Sequence, residues 1–184
     1  MKRPFLPSLL GCLALAAPAA YGQLPCEEPR HRSREACSLI GVQEVLGALG
    51  RGSIGMMVGC QRPGSLLSRC DVTGPELHLV YQVVPASDEA LYRSEESLRE
   101  LVTRAAEREA AAVEETVVSG IRCWSLNREG DRTLLVGAPV ACSKREARFA
   151  VSVTVFPSGQ RRVSPEQVRG LVSTAVGRVR PATR

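Results

Sequence analysis

Aromatic side chains are scarce, at 4% of the 184 residues, with Trp124 the single tryptophan. Stacked-base and carbohydrate platforms need more rings than that, which excludes both classes of module. Lysine is rarer still, present only as Lys2 and Lys144, so arginine supplies almost all of the 24 basic residues. Against 19 acidic residues the net charge is +5. The arginines are scattered among acids from Glu27 to Arg184 instead of forming a stripe, so no nucleic-acid partner is expected. Histidine occurs twice, as His31 and His78, and any imidazole-dependent mechanism must use one of them.

Motifs of common chemistry are missing as well. The segment Arg51-Gly52-Ser53-Ile54-Gly55 lacks the first glycine of a Gly-x-Ser-x-Gly elbow. There is no His-Glu-x-x-His, no phosphate-cradling loop ending in Lys-Ser/Thr and no Cys-x-x-Cys. The expected catalytic, metal and cofactor assignments are therefore none, and no enzymatic activity is expected.

What is present begins with an export signature. Met1-Lys2-Arg3-Pro4 is a positive leader, Phe5 to Ala20 is nearly continuous in apolar and small residues, and Ala20-Tyr21-Gly22 suits cleavage before Gln23. Residues 1–22 read as a signal peptide and 23–184 as one α+β domain, with 23–36 irregular. That leaves about 160 residues, enough for a single core. Leu9-Leu10-Gly11-Cys12 resembles a lipoprotein cleavage box, which makes a lipid anchor at Cys12 the alternative to free export. No later stretch reaches the ~18 apolar residues of a membrane helix, so none is expected in the mature chain.

Removing Cys12 leaves Cys26, Cys37, Cys60, Cys70, Cys123 and Cys142, an even set that points to an oxidising compartment and disulfides. Six cysteines allow fifteen pairings, and sequence does not choose among them. The pairs closing local loops are Cys26–Cys37, Cys60–Cys70 and Cys123–Cys142, with Cys37–Cys60 as the main competitor.

Periodicity supplies the elements. Ser38 is a candidate cap for a helix through Leu39, Val42, Val45, Leu46 and Leu49. Ile54 to Cys60 reads as a buried strand, Gln61 to Gly74 as mostly loop, and Glu76 to Val84 as an alternating strand. Asp88 to Glu115 reads as one long amphipathic helix, with Glu95–Arg99 and Glu100–Arg104 at ion-pair spacing. Strands follow over 117–126, 133–141 and 148–156, the first two joined by a turn at 127–131. The final helix is announced by Ser164, Pro165 and Gln167, a capping box with proline at the first helical position. Strands in runs with helices between them predict an antiparallel sheet of about five to six strands covered by helices and stabilised by disulfides.

His78 lies on the polar face of its strand beside Glu76 and Gln82, which could orient an imidazole. Trp124, next to Cys123, reads as core packing rather than a ligand platform. Cys37-Ser38-Leu39-Ile40 opening a helix, Val45-Leu46-Gly47, a strand ending at Cys60, Val118-Ser119-Gly120-Ile121 and a helix from Ser164 together resemble small exported lipoproteins of high-GC bacteria, of unknown function. That resemblance implies a PsbP-like α+β sandwich over about Cys37 to Val179, and it carries no catalytic residues. The expected role is an exported, periplasmic or secreted, non-catalytic binding or accessory module of the bacterial cell envelope, whose partner is an unknown protein or small ligand. The alternatives are a small hydrolase or transferase using His78, and a secreted inhibitor or effector acting through an exposed loop such as Gln61 to Gly74.

Overall fold

A computed structural model describes residues 32, 35–50, 55–62, 65–92, 95–128 and 133–179. The signal segment 1–22 with its Cys12 box, most of the irregular 23–36 segment with Cys26, and part of the expected 127–131 turn lie outside the described residues. A 3-10 turn (Glu35–Cys37) precedes α1 (Val42–Leu49), β1 (Met56–Gln61), β2 (Ser68–Thr73) and β3 (Leu77–Pro85). Two helices follow, α2 (Glu89–Tyr92) and α3 (Glu95–Glu109). The chain ends with β4 (Ala112–Val118), β5 (Ile121–Asn127), β6 (Val140–Arg145), β7 (Phe149–Pro157) and α4 (Pro165–Arg178).

The fold is α+β: one seven-stranded sheet in the order β1-β2-β3-β7-β6-β5-β4, with every neighbouring pair antiparallel. β1 to β3 form a meander. The α2–α3 segment then carries the chain from the middle of the sheet to its far edge, and β4 to β7 meander back to β3.

Strand alternation divides the side chains between two faces. On one, Leu79, Tyr81 and Val83 of β3 and Val151, Val153 and Val155 of β7 bury themselves under Val168, Leu171, Val172 and Ala175 of α4, with Val45 and Leu49 of α1 alongside. On the other, Leu98, Leu101, Val102 and Ala105 of α3 pack over Trp124, Leu126 and Ala141 of β5 and β6. α3 touches β4, β5 and β6, and His78 and Phe156, on the β3–β7 part of the same face, stay partly exposed.

Several boundaries differ from the sequence expectation for local reasons. Ser38 does not cap α1: its hydroxyl donates to the Glu35 carbonyl at 2.6 Å, and Gly41 occupies the cap position. Residues 68–73, within the expected loop, form β2, where Ser68, Cys70 and Val72 are buried and Arg69 and Asp71 only partly so. The expected helix over 88–115 ends at Glu109. Ala110, at φ 49°, turns the chain, and Ala112–Val118 becomes the edge strand β4. The tight connection to β5 is Ser119-Gly120, with φ of 53° and 73°, the left-handed pair that a two-residue hairpin needs. The expected strand over 133–141 instead runs from Val140 to Arg145 and takes in two residues assigned to a turn. These changes raise the strand count to seven.

Cys37 is bonded to Cys70 and Cys123 to Cys142. The second pair matches the sequence expectation. The first replaces Cys26–Cys37, Cys60–Cys70 and the competitor Cys37–Cys60, because β2 passes beside the 35–37 turn and brings distant cysteines together. Cys60 is also disulfide-bonded. The Tyr81 hydroxyl, pushed well above its usual pKa by burial, donates to the Ala36 carbonyl at 2.6 Å and anchors the same turn.

α4 carries the expected capping box: Ser164 Oγ accepts from the Gln167 N–H, and Gln167 Oε1 accepts from the Ser164 N–H. At its other end Arg178 donates to the Glu44 carboxylate of α1. That hydrogen bond, reinforced by one from the backbone N–H of Glu44, holds the Glu44 carboxyl below its ordinary value of 4.5. A carboxylate depressed on folding stabilises the native state above its unfolded pKa, and the contribution is lost as pH falls through the folded one. Glu44→Gln is therefore expected to lower the urea midpoint at about pH 7, with the gap to the parent closing by about pH 3. A gap that stays constant over that range would rule the linkage out.

Candidate functional site

Three adjacent strands set side chains on the face that α3 crosses. In the antiparallel register Glu115 of β4 stands opposite Trp124 of β5, and Arg122 of β5 opposite Ser143 of β6. Trp124 is 2% exposed, and its indole N–H donates to Glu115 Oε2 at 3.0 Å. Arg122 donates to the other Glu115 oxygen at 2.9 Å and comes within 4.0 Å of Glu95 on α3. Glu95 also accepts from the Ser143 hydroxyl at 3.0 Å.

Beside this network opens a cleft of about 440 Å³, bounded by the first turns of α3 and the β4–β6 face, with Trp124 in its wall. Its free rim is formed by Glu96 and Arg99 of α3 and Arg145 of β6. Arg145 is held in place from one side: its guanidinium lies 4.8 Å from the centre of the Tyr92 ring and donates to the Tyr92 carbonyl at 3.0 Å. Arg99 behaves differently from its sequence expectation. Its partner at helical spacing, Glu95, turns inward to Ser143 and Arg122, which leaves Arg99 with no carboxylate partner among the described residues. The companion pair Glu100–Arg104 does form.

Chemically the cleft is a charged binding surface. Its lining holds equal numbers of arginines and glutamates, so its net charge is near zero while its local fields are strong. Among the described residues no cluster of three or more His, Cys, Asp or Glu side chains is placed to hold a metal.

His78 lies elsewhere, on the uncovered part of the same sheet face. Glu76 pairs with Arg161 instead of orienting the imidazole. Asp71 of β2, which stands opposite Val80 and so lies diagonally across from His78, takes that place with Oδ1 3.3 Å from Nε2, and the ring stacks on Phe156 at 5.8 Å. Arg69 grips Asp71 with two hydrogen bonds of 2.7 Å. His78 is 43% exposed in its side chain. Seven positions separate Asp71 from His78, and only the recognition of β2 as a strand could have brought them together.

Trp124 serves both readings of it, core and cleft wall. Of the Gln61–Gly74 segment proposed as an exposed effector loop, Gln61 ends β1 and Ser68–Thr73 form β2, within the sheet. The cysteines Cys37, Cys70, Cys123 and Cys142 sit on or under the α4 side, away from the cleft. Among the described residues no helix is long and apolar enough to cross a membrane, and the disulfides are consistent with an oxidising, extracytoplasmic compartment. No protein-family model, curated protein or solved structure matches the chain.

Proposed function

We propose that the protein is an exported, non-catalytic binding module of the bacterial cell envelope, and that it holds a small polar ligand in the cleft between α3 and the β4–β6 face. The observation that carries this reading is the α3 rim, where Arg99 and Glu96 point charge at a concave surface without a described partner of their own. Pockets with a few convergent charged groups and an aromatic wall are the usual places for a ligand to lodge. The export signature of the first 22 residues and the disulfides support the compartment. The resemblance to small exported lipoproteins with a PsbP-like fold supports the same assignment and names no ligand.

Trp124 is the only tryptophan and stands in the cleft wall, so its emission responds to changes there. Titration with a panel of sugars, nucleosides, polyamines, dicarboxylates, amino acids and dipeptides is expected to yield at least one compound that shifts that emission saturably. Uniformly flat titrations across the panel would remove the reading.

A second reading, a hydrolase or transferase using His78, is favoured by the Asp71 contact, which could fix the imidazole. The two are separated by His78→Ala. The binding module keeps its ligand response in that variant, whereas an enzyme would lose turnover of any substrate the panel reveals.

A further inference from the structure

We infer that the cleft selects a small zwitterion, an α-amino acid or short peptide, with its carboxylate on Arg99 and Arg145 and its ammonium group on Glu96. The inference rests on the cleft being the ligand site proposed above and adds the chemistry of what enters it.

The argument runs from the groups already satisfied to those left over. Glu95 is occupied by Ser143 and Arg122, and Glu115 by Arg122 and the Trp124 indole. Arg122, set between two carboxylates, has no need of a third. Three rim charges remain: Arg99 and Glu96, for which no partner is seen among the described residues, and Arg145, which spends one nitrogen and one face of its guanidinium plane on Tyr92. Two of these are guanidinium groups, the side chain best matched to a carboxylate through paired N–H donors. Arg145 is fixed before any ligand arrives, which lowers the entropic cost of using it.

Glu96 and Arg99 are three residues apart on α3, so their Cβ atoms lie about 5–6 Å from each other on one face. That spacing suits a ligand bearing both charges within a few bonds. Net charge makes the same choice: a lining balanced between acids and bases repels neither sign overall, while its separated charges discriminate against uncharged sugars, which would leave the ionic groups unpaired. A volume of about 440 Å³ leaves room for more than a single amino acid.

The test is a set of tryptophan-emission titrations with alanine, dialanine and trialanine, each repeated with the carboxyl group amidated or the amine acetylated. Free dialanine is expected to bind, and either blocking group to weaken it by at least about tenfold. Arg99→Ala is expected to weaken dialanine by at least about tenfold and to erase the preference for the free carboxylate. Glu96→Gln erases the preference for the free amine. Both positions are solvent-facing on α3, so unchanged melting curves establish that the variants are folded. Equal binding of blocked and free peptides overturns the inference. Response to a neutral sugar or nucleoside alone also overturns it while leaving the binding module standing, and a flat response to every probe removes both.

Discussion

Trp124→Ala is expected to destabilise the protein by about 3–5 kcal/mol, the range for deleting a large aromatic side chain from a packed interior. Trp124 is almost wholly buried and centres the smaller of the two large apolar clusters, where Val102, Ala105 and Ala106 of α3 meet Leu126, Ala138 and Ala141. The buried α3 residues of this cluster are Val102, Ala105 and Ala106, too short to refill the space. The Glu115 carboxylate would lose its indole donor at the same time. Trp124→Phe keeps a ring in place and gives up that hydrogen bond with part of the volume, so its cost should be distinctly smaller. Urea unfolding followed by circular dichroism measures both. A loss under about 1 kcal/mol for the alanine variant would show that α3 does not depend on this contact.

The paired replacement Cys37→Ala and Cys70→Ala should be comparably severe. The disulfide closes a separation of 33 residues, for which the chain-entropy account gives about 3–4 kcal/mol. It also ties the 35–37 turn to β2, and the Tyr81–Ala36 hydrogen bond and packing against β1 and β2 help to hold that turn. Cys123→Ala with Cys142→Ala opens a separation of 19 between strands already in register, and the same account gives about 3 kcal/mol. The measurement is the urea midpoint of each double variant against the parent. If opening Cys123–Cys142 costs more than opening Cys37–Cys70, loop size is not what governs these bonds.

Much of the architecture was legible because it is written in local pattern. β3 alternates from Leu77 to Val83, β7 places Val151, Val153 and Val155 at every second position, α3 shows an apolar stripe, and α4 announces its start with Ser164, Pro165 and Gln167. β2 was hidden by its surroundings: Gly64, Gly74 and Pro63 gave the segment the composition of a loop, although Ser68-Arg69-Cys70-Asp71-Val72-Thr73 alternates in burial. β4 was hidden by its glutamates, since Glu114 and Glu115 continue the acidic pattern of α3. The Ser119-Gly120 dipeptide was the available sign that a hairpin stood there.

The candidate site was less legible for the same physical reason. Arg99 has no carboxylate partner among the described residues because Glu95 finds Ser143 and Arg122 across the α3–sheet contact, and neither lies near it in sequence. Asp71 meets His78 only because β2 lies beside β3. By itself the sequence determined what depends on neighbours along the chain: periodicity, the capping of α4 and the export-like pattern of the first 22 residues. Which cysteines join, which glutamate claims which arginine and where a cleft opens were decided by the tertiary structure, because those contacts depend on the order of strands in the sheet and on the face each helix covers.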